Sequence, residues 1–154
     1  MSFKSIVAQQ YRENVNRARS QVSGLFMPSE GWIRTTRKAL GLSGAQLGRL
    51  RGMTRASVSN LERAELEGSV TIKRMQQMAE SMGCRFVYAV VPEGDVEEVI
   101  RMRALNRART QVREASVHMA LEAQALSPQK LEAEIERIAN ELIEASSPEI
   151  WAVG

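Results

Sequence analysis

The sequence predicts a mainly α-helical protein with one short strand, and three observations lead there. Apolar residues recur at three- and four-residue spacings along most of the chain. Residues able to cap a helix stand in front of those runs, at Ser43, Thr54, Thr71 and Ser127. Only Arg85–Val91 (RFVYAVV) is β-branched and aromatic enough for a strand, and Pro92 stops it. The rest of the chain is arranged around Ser43 to Arg63, two short helices joined by a tight turn.

Three segments of different character follow from composition. Residues 1–29 form an N-terminal helical arm: Ile6, Tyr11, Val15, Ala18 and Val22 mark one side, and Ser23-Gly24 and Pro28-Ser29 break it. A packing arm is favoured over an arm that contacts DNA by itself. Residues 30–92 hold the helix pair and end in the strand; residues 93–154 are helical and acidic. The formal charge is +3 in the first segment, +5 in the second and −5 in the third. Phosphate attraction is thus available where the helix pair lies, and the acidic end suits a protein-facing role.

The 30–92 unit opens with a helix from Glu30 to Leu40. Trp32, Ile33, Thr36 and Leu40 face a core, Arg34, Arg37 and Lys38 point outward, and Gly41 lies just past the C-terminus. Ser43 then caps the first helix of the pair, with Gln46 closing a capping box, and Leu47 and Leu50 supply its apolar face. Gly52 allows the turn. Thr54 caps the second helix, which points Val58 and Leu61 inward at a spacing of three. Its outward side carries Arg55, Ala56, Ser57, Ser59, Asn60 and Arg63, with no carboxylate before Glu62. That short, polar, basic surface suits the base edges of a major groove. An ordinary helical hairpin is the bland alternative.

A loop from Ala64 to Val70, containing Gly68, leads to a helix capped by Thr71, whose inner stripe is Ile72, Met75, Met78, Ala79 and Met82, ended by Gly83. Methionines at that spacing fill a core. Cys84 reads as a small buried hydrophobe, and as the single cysteine it excludes an intrachain disulfide. The strand that follows has apolar side chains on both faces, and a lone strand leaves its backbone groups unsatisfied. The sequence therefore predicts a homodimer in which Phe86, Val87, Tyr88 and Val90 pair with the same strand of a second copy. The competing partner is the stretch around Leu25–Met27.

Beyond Pro92, Val96, Val99, Ile100, Ala108, Val112, Ala115 and Met119 track one helix face to about Ala125. Ser127-Pro128 restarts a helix, with Leu131, Ile135, Ile138 and Leu142 forming a seam. A tail with Ile150 and Trp151 is expected to dock. His118 with Glu114 and Glu122 could share a face, but a solvated charged face or a salt-bridged packing seam explains them better than a metal. No phosphate loop, zinc-ligand cluster or catalytic triad is legible, so neither an enzyme nor a cofactor is expected. With no leader and no run of about 18 apolar residues, a cytoplasmic location is expected.

The order WIRTTRKALGLS, QL, TRASVSNLER and TIKRMQQMAESMG resembles the Cro/XRE family of five-helix helix-turn-helix DNA-binding domains, over about 55 residues. The resemblance implies that Arg55, Ala56 and Asn60 face base edges. It implies that Thr54 and Ser57 support groove or phosphate contacts, and the outward face of the helix adds Ser59 and Arg63 to that support. The family often places Gln after the first cap as a clamp; Gly44 stands here, so affinity leans on Arg34, Arg37, Lys38 and Arg49. Over nearly the whole length, GWIR, VSNLE, EGSVTIK, VYAVVP, HMALE and Trp151 resemble the mobile mystery protein A family. That likeness implies an antitoxin-like autorepressor acting beside a Fic-domain partner, mobile mystery protein B. The Fic-inhibiting motif wants Ser or Thr four residues before a Glu-Gly or Glu-Asn pair. Gln9, Arg63 and Ala89 stand at those positions, so direct active-site blocking is not expected.

The expected function is therefore a dimeric, sequence-specific regulator binding an inverted-repeat operator on double-stranded DNA. The alternatives are a neutraliser that caps a toxin through its C-terminal helices, or an orphan phage-like repressor.

Overall fold

The computed structural model describes residues 3–121 and 127–153, apart from the side chains of Ser116 and of residues 118–121. Among the described residues seven helices are formed in this order: α1 (Phe3–Val22), α2 (Trp32–Ala39), α3 (Gly44–Arg51), α4 (Arg55–Glu67), α5 (Ile72–Ser81), α6 (Val96–Leu121) and α7 (Pro128–Glu144), then a 3₁₀ turn, Pro148–Trp151. They divide into two compact units, residues 24–89 and residues 3–23 with 90–153. The N-terminal helix thus groups with the C-terminal helices.

The 24–89 unit closes on Ile33, Leu47, Val58, Leu61, Met75, Met78 and Met82, one or more from each of α2 to α5. Removing these side chains from water supplies most of the drive to fold, at roughly 1.5–3 kcal/mol each. Trp32, Leu42, Met53, Val70 and Phe86 pack around the rim. The unit has four helices where the five-helix resemblance implied one more, because no helix follows Gly83 before Pro92. The caps form as expected: Ser43, Thr54 and Thr71 each accept a hydrogen bond from the backbone N–H three residues on. Leu40, Leu50 and Ile72, expected inside, are at least half exposed. These helices are only 8 to 10 residues long, and each buries one narrow stripe.

The strand is not formed. Arg85–Val91 runs as irregular chain, and none of its backbone N–H groups donates to another backbone group among the described residues. A strand exists only through a neighbour, and among the described residues no stretch is paired with this one. Phe86 turns to the core and stacks on Tyr88 with ring centroids 5.8 Å apart, while Val87, Tyr88 and Val90 stay exposed. Cys84 is exposed as well, correcting its expected burial.

In the other unit, α6 and α7 pack through Ala104, Leu105, Ala108, Val112, Ile135, Ala139 and Ile150. Alanines at three of these positions let the two backbones approach closely. The seam of Leu131, Ile138 and Leu142 covers this core, and Ser127 and Pro128 start α7 as anticipated. Ile150 is buried, and Arg103 lies 5.2 Å over the Trp151 ring, so the tail docks on its own unit. Asn16 of α1 caps α6: Val96 N donates to its Oδ1 at 2.9 Å, and its Nδ2 donates to Glu97 at 3.0 Å. The side chains of His118 and Met119, and residues 122–125, lie outside the described residues.

Candidate nucleic-acid interface

The site begins with how closely α3 and α4 approach each other. Ser43 and Gln46 complete the capping box, Ser43 N donating to Gln46 Oε1 at 2.7 Å. At the other end, Gly52 takes φ 70°, a left-handed turn that a Cβ would strain. Met53 N then donates to Gly48 O at 2.7 Å. Gly48 is the contact that permits this: a Cβ there would sit 2.5 Å from Met53 O. A glycine inside a helix costs about 1 kcal/mol, which was the signal that position 48 has a packing reason.

Thr54 then starts α4. Its Oγ1 accepts from Ser57 N at 3.0 Å and donates to Ser57 Oγ at 2.9 Å, so Thr54 and Ser57 act first as a cap. Arg55, Ala56, Ser59, Asn60 and Arg63 are exposed on the outward side. Among the described residues the side chains of Arg49, Arg55, Asn60 and Arg63 have no hydrogen-bond or ion-pair partner. A groove of about 520 Å³ reaches Arg55 of this set and is lined by Arg34, Arg37, Lys38, Ser43, Gly44, Ala45, Arg55, Val58, Ser59 and Glu62. With four cations and one carboxylate it attracts anions. The absent side chain at Gly44 keeps the groove open; a Cβ there would lie 3.7 Å from Arg55 Cγ, an ordinary contact.

The expected backbone-contacting cations differ in their freedom. Arg37 does not point outward: its side chain is 13% exposed, and Nε donates to Glu62 Oε1 at 2.8 Å and Nη1 to Leu42 O at 3.1 Å. It fastens α2 to α4 and to the entry of α3. Lys38 Nζ lies 3.1 Å from both oxygens of Glu30, and Arg34 Nε lies 4.0 Å from Oε1 of the same residue. Hydrogen bonding and charge from Lys38, helped by Arg34, hold the Glu30 carboxyl below the usual carboxylate range.

Three carboxylates that order this site escaped the sequence reading. Glu62 falls four residues after Val58, on the inner stripe of α4, and a carboxylate there signals a buried ion pair. Glu65 reaches the N-terminus of α2, accepting from Trp32 N at 2.6 Å and Ile33 N at 3.0 Å. It replaces a local cap that Gly31 cannot supply. Gly31 has φ 85°, and a Cβ there would lie 3.0 Å from the Glu65 carboxylate. Glu30 was legible as an acid near α2 but not as the partner of its cations.

Residues 33–88 match the helix-turn-helix family model. Comparison with curated proteins and with solved structures gave no match. No helix among the described residues is long and apolar enough to cross a membrane. The capped helix pair, its glycine-permitted contact and the family match agree, and residues 33–88 are a Cro/XRE-type helix-turn-helix domain, the DNA-binding kind found in regulators.

Proposed function

We propose that this chain is a sequence-specific DNA-binding repressor that acts as a homodimer on an inverted-repeat operator. The observation that carries it is the leading face of α4, where Arg55, Ala56 and Asn60 stand exposed, the two polar side chains unpartnered, beside a cationic groove. Asn can pair with the adenine edge, Arg with guanine, and Ala56 offers only a methyl contact. The dimer reading is supported by Arg85–Val91, an apolar run whose backbone donors are unused and whose Val87, Tyr88 and Val90 are exposed. A second copy adding its own run would satisfy both.

Autoregulation and a Fic-domain partner are proposed on the family resemblance alone. The acidic 93–154 segment, whose α6 and α7 belong with α1 to a unit separate from the helix-turn-helix unit, supports a second reading in which that segment holds a protein partner.

The test is selection of DNA fragments by the purified protein at physiological salt, followed by sequencing. A palindrome with half-sites about 10 bp apart centre to centre, or a multiple of that, is expected. Retention without shared sequence would move the weight to the protein-binding reading.

A further inference from the structure

We propose that Glu30 competes with DNA phosphate for Arg34 and Lys38 of α2, and so lowers affinity for every DNA sequence alike. The inference rests on the DNA-binding reading above. Lys38 and Arg34 both border the groove beside Ser43, Gly44 and Arg55, and both are engaged by the single Glu30 carboxylate. A phosphate reaching Lys38 must take over the hydrogen bonds that Glu30 now accepts at 3.1 Å, and then sit beside a like charge. Arg49, Arg55 and Arg63 ask for no such exchange.

The two acid partners of the α2 cations differ in kind. Glu62 is buried against Arg37 and belongs to the core of the fold. Glu30 and Lys38 leave close to half of their side chains in water, at 44% and 49% exposed. An ion pair so exposed adds little to stability. What the Glu30 carboxylate does have is position, within contact of Arg34 and Lys38, two of the three α2 cations on the groove. It sets how much of their charge a DNA backbone feels.

The experiment is fluorescence anisotropy with the full chain, on the duplex recovered by selection and on a scrambled duplex, across about 50 to 200 mM salt. Glu30→Gln should raise affinity for both duplexes by about three- to tenfold at the low-salt end. It should also steepen the slope of log affinity against log salt by about one to two. In a Lys38→Ala background the gain from Glu30→Gln should shrink by about half or more, because one of the two released cations is gone. Thermal melting checks that each variant is folded, and Glu30→Ala should repeat the gain if Glu30→Gln melts early. Unchanged or weaker binding by folded variants would overturn the inference. So would an undiminished gain without Lys38, which would make Glu30 a distant charge rather than a competitor. A wild-type chain that binds neither duplex would take down the DNA-binding reading, and this inference with it.

Discussion

Arg37 and Glu62 meet in a two-pronged ion pair, Nε to Oε1 at 2.8 Å and Nη2 to Oε2 at 3.3 Å, with both side chains nearly removed from water. The pair joins α2 to the outward helix α4, and Arg37 reaches on to Leu42 O at the entry of α3. One guanidinium therefore ties together the three helices that border the groove.

Breaking this pair strands a buried charge. Glu62→Ala is expected to cost about 3–5 kcal/mol in urea unfolding, whereas the double replacement Arg37→Met with Glu62→Leu should cost far less. Arg37→Ala should weaken binding to all DNA sequences together with the loss of stability. A folded, fully stable Arg37→Ala chain would contradict the role assigned to the pair.

Gly48 and Gly44 should respond oppositely to the same added methyl. Gly48→Ala forces a Cβ against Met53 O and is expected to destabilise by about 1–3 kcal/mol, seen as an earlier melting midpoint. At Gly44 the nearest atom is 3.7 Å away, so Gly44→Ala should leave the midpoint unchanged or slightly raised.

Base readout by α4 can be separated from folding, since Arg55 and Asn60 are exposed and unpartnered. Asn60→Ala should lose about 1–3 kcal/mol of operator affinity and relax preference at one position, with melting unaltered. Arg55→Ala should do the same at a different position. If Asn60→Ala kept both affinity and preference, α4 would not be the reading helix.

The proposed dimer depends on backbone donors in Arg85–Val91. In a paired strand alternate residues donate to the partner, so at least one of Val87→Pro and Tyr88→Pro removes a ladder bond. Sedimentation at micromolar concentration should show a dimer for the wild type and a monomer for that variant. A monomeric wild type would sink the dimer.

Acid should weaken the fold through Glu97 and Glu134. The first is held below its usual 4.5 by a backbone N–H at its own position and by the Asn16 amide, the second by Arg137. For a depressed native pKa the unfolded chain takes up protons first. Stability from these groups is present above about pH 4.5 and is lost as pH falls through the lower native values. Melting midpoints between pH 6 and pH 3 should fall, and less steeply for Glu97→Gln.

Much of the domain was legible from local chemistry. Ser43, Thr54, Thr71 and Ser127 announce helix starts because a cap acts on N–H groups two or three residues away, within the same stretch of chain. Val58, Leu61, Met75 and Met78 announce their buried faces through helical spacing, and the outward set of Arg55, Ala56 and Asn60 follows from the same geometry.

What only the tertiary structure decided lies between stretches distant in sequence. Glu65 caps a helix 33 residues earlier, Arg37 pairs across 25 residues, and Gly48 is needed because of where Met53 O comes to lie. Arg37 and Lys38 look alike in the sequence, yet one is locked in the core and the other shares an exposed carboxylate. The strand shows the reverse case: Arg85–Val91 has the composition for it, but a strand is a property of two segments, and no second one pairs with it among the described residues. Local rules act through bonds and turns that the sequence spells out; partnership depends on which segments folding brings together.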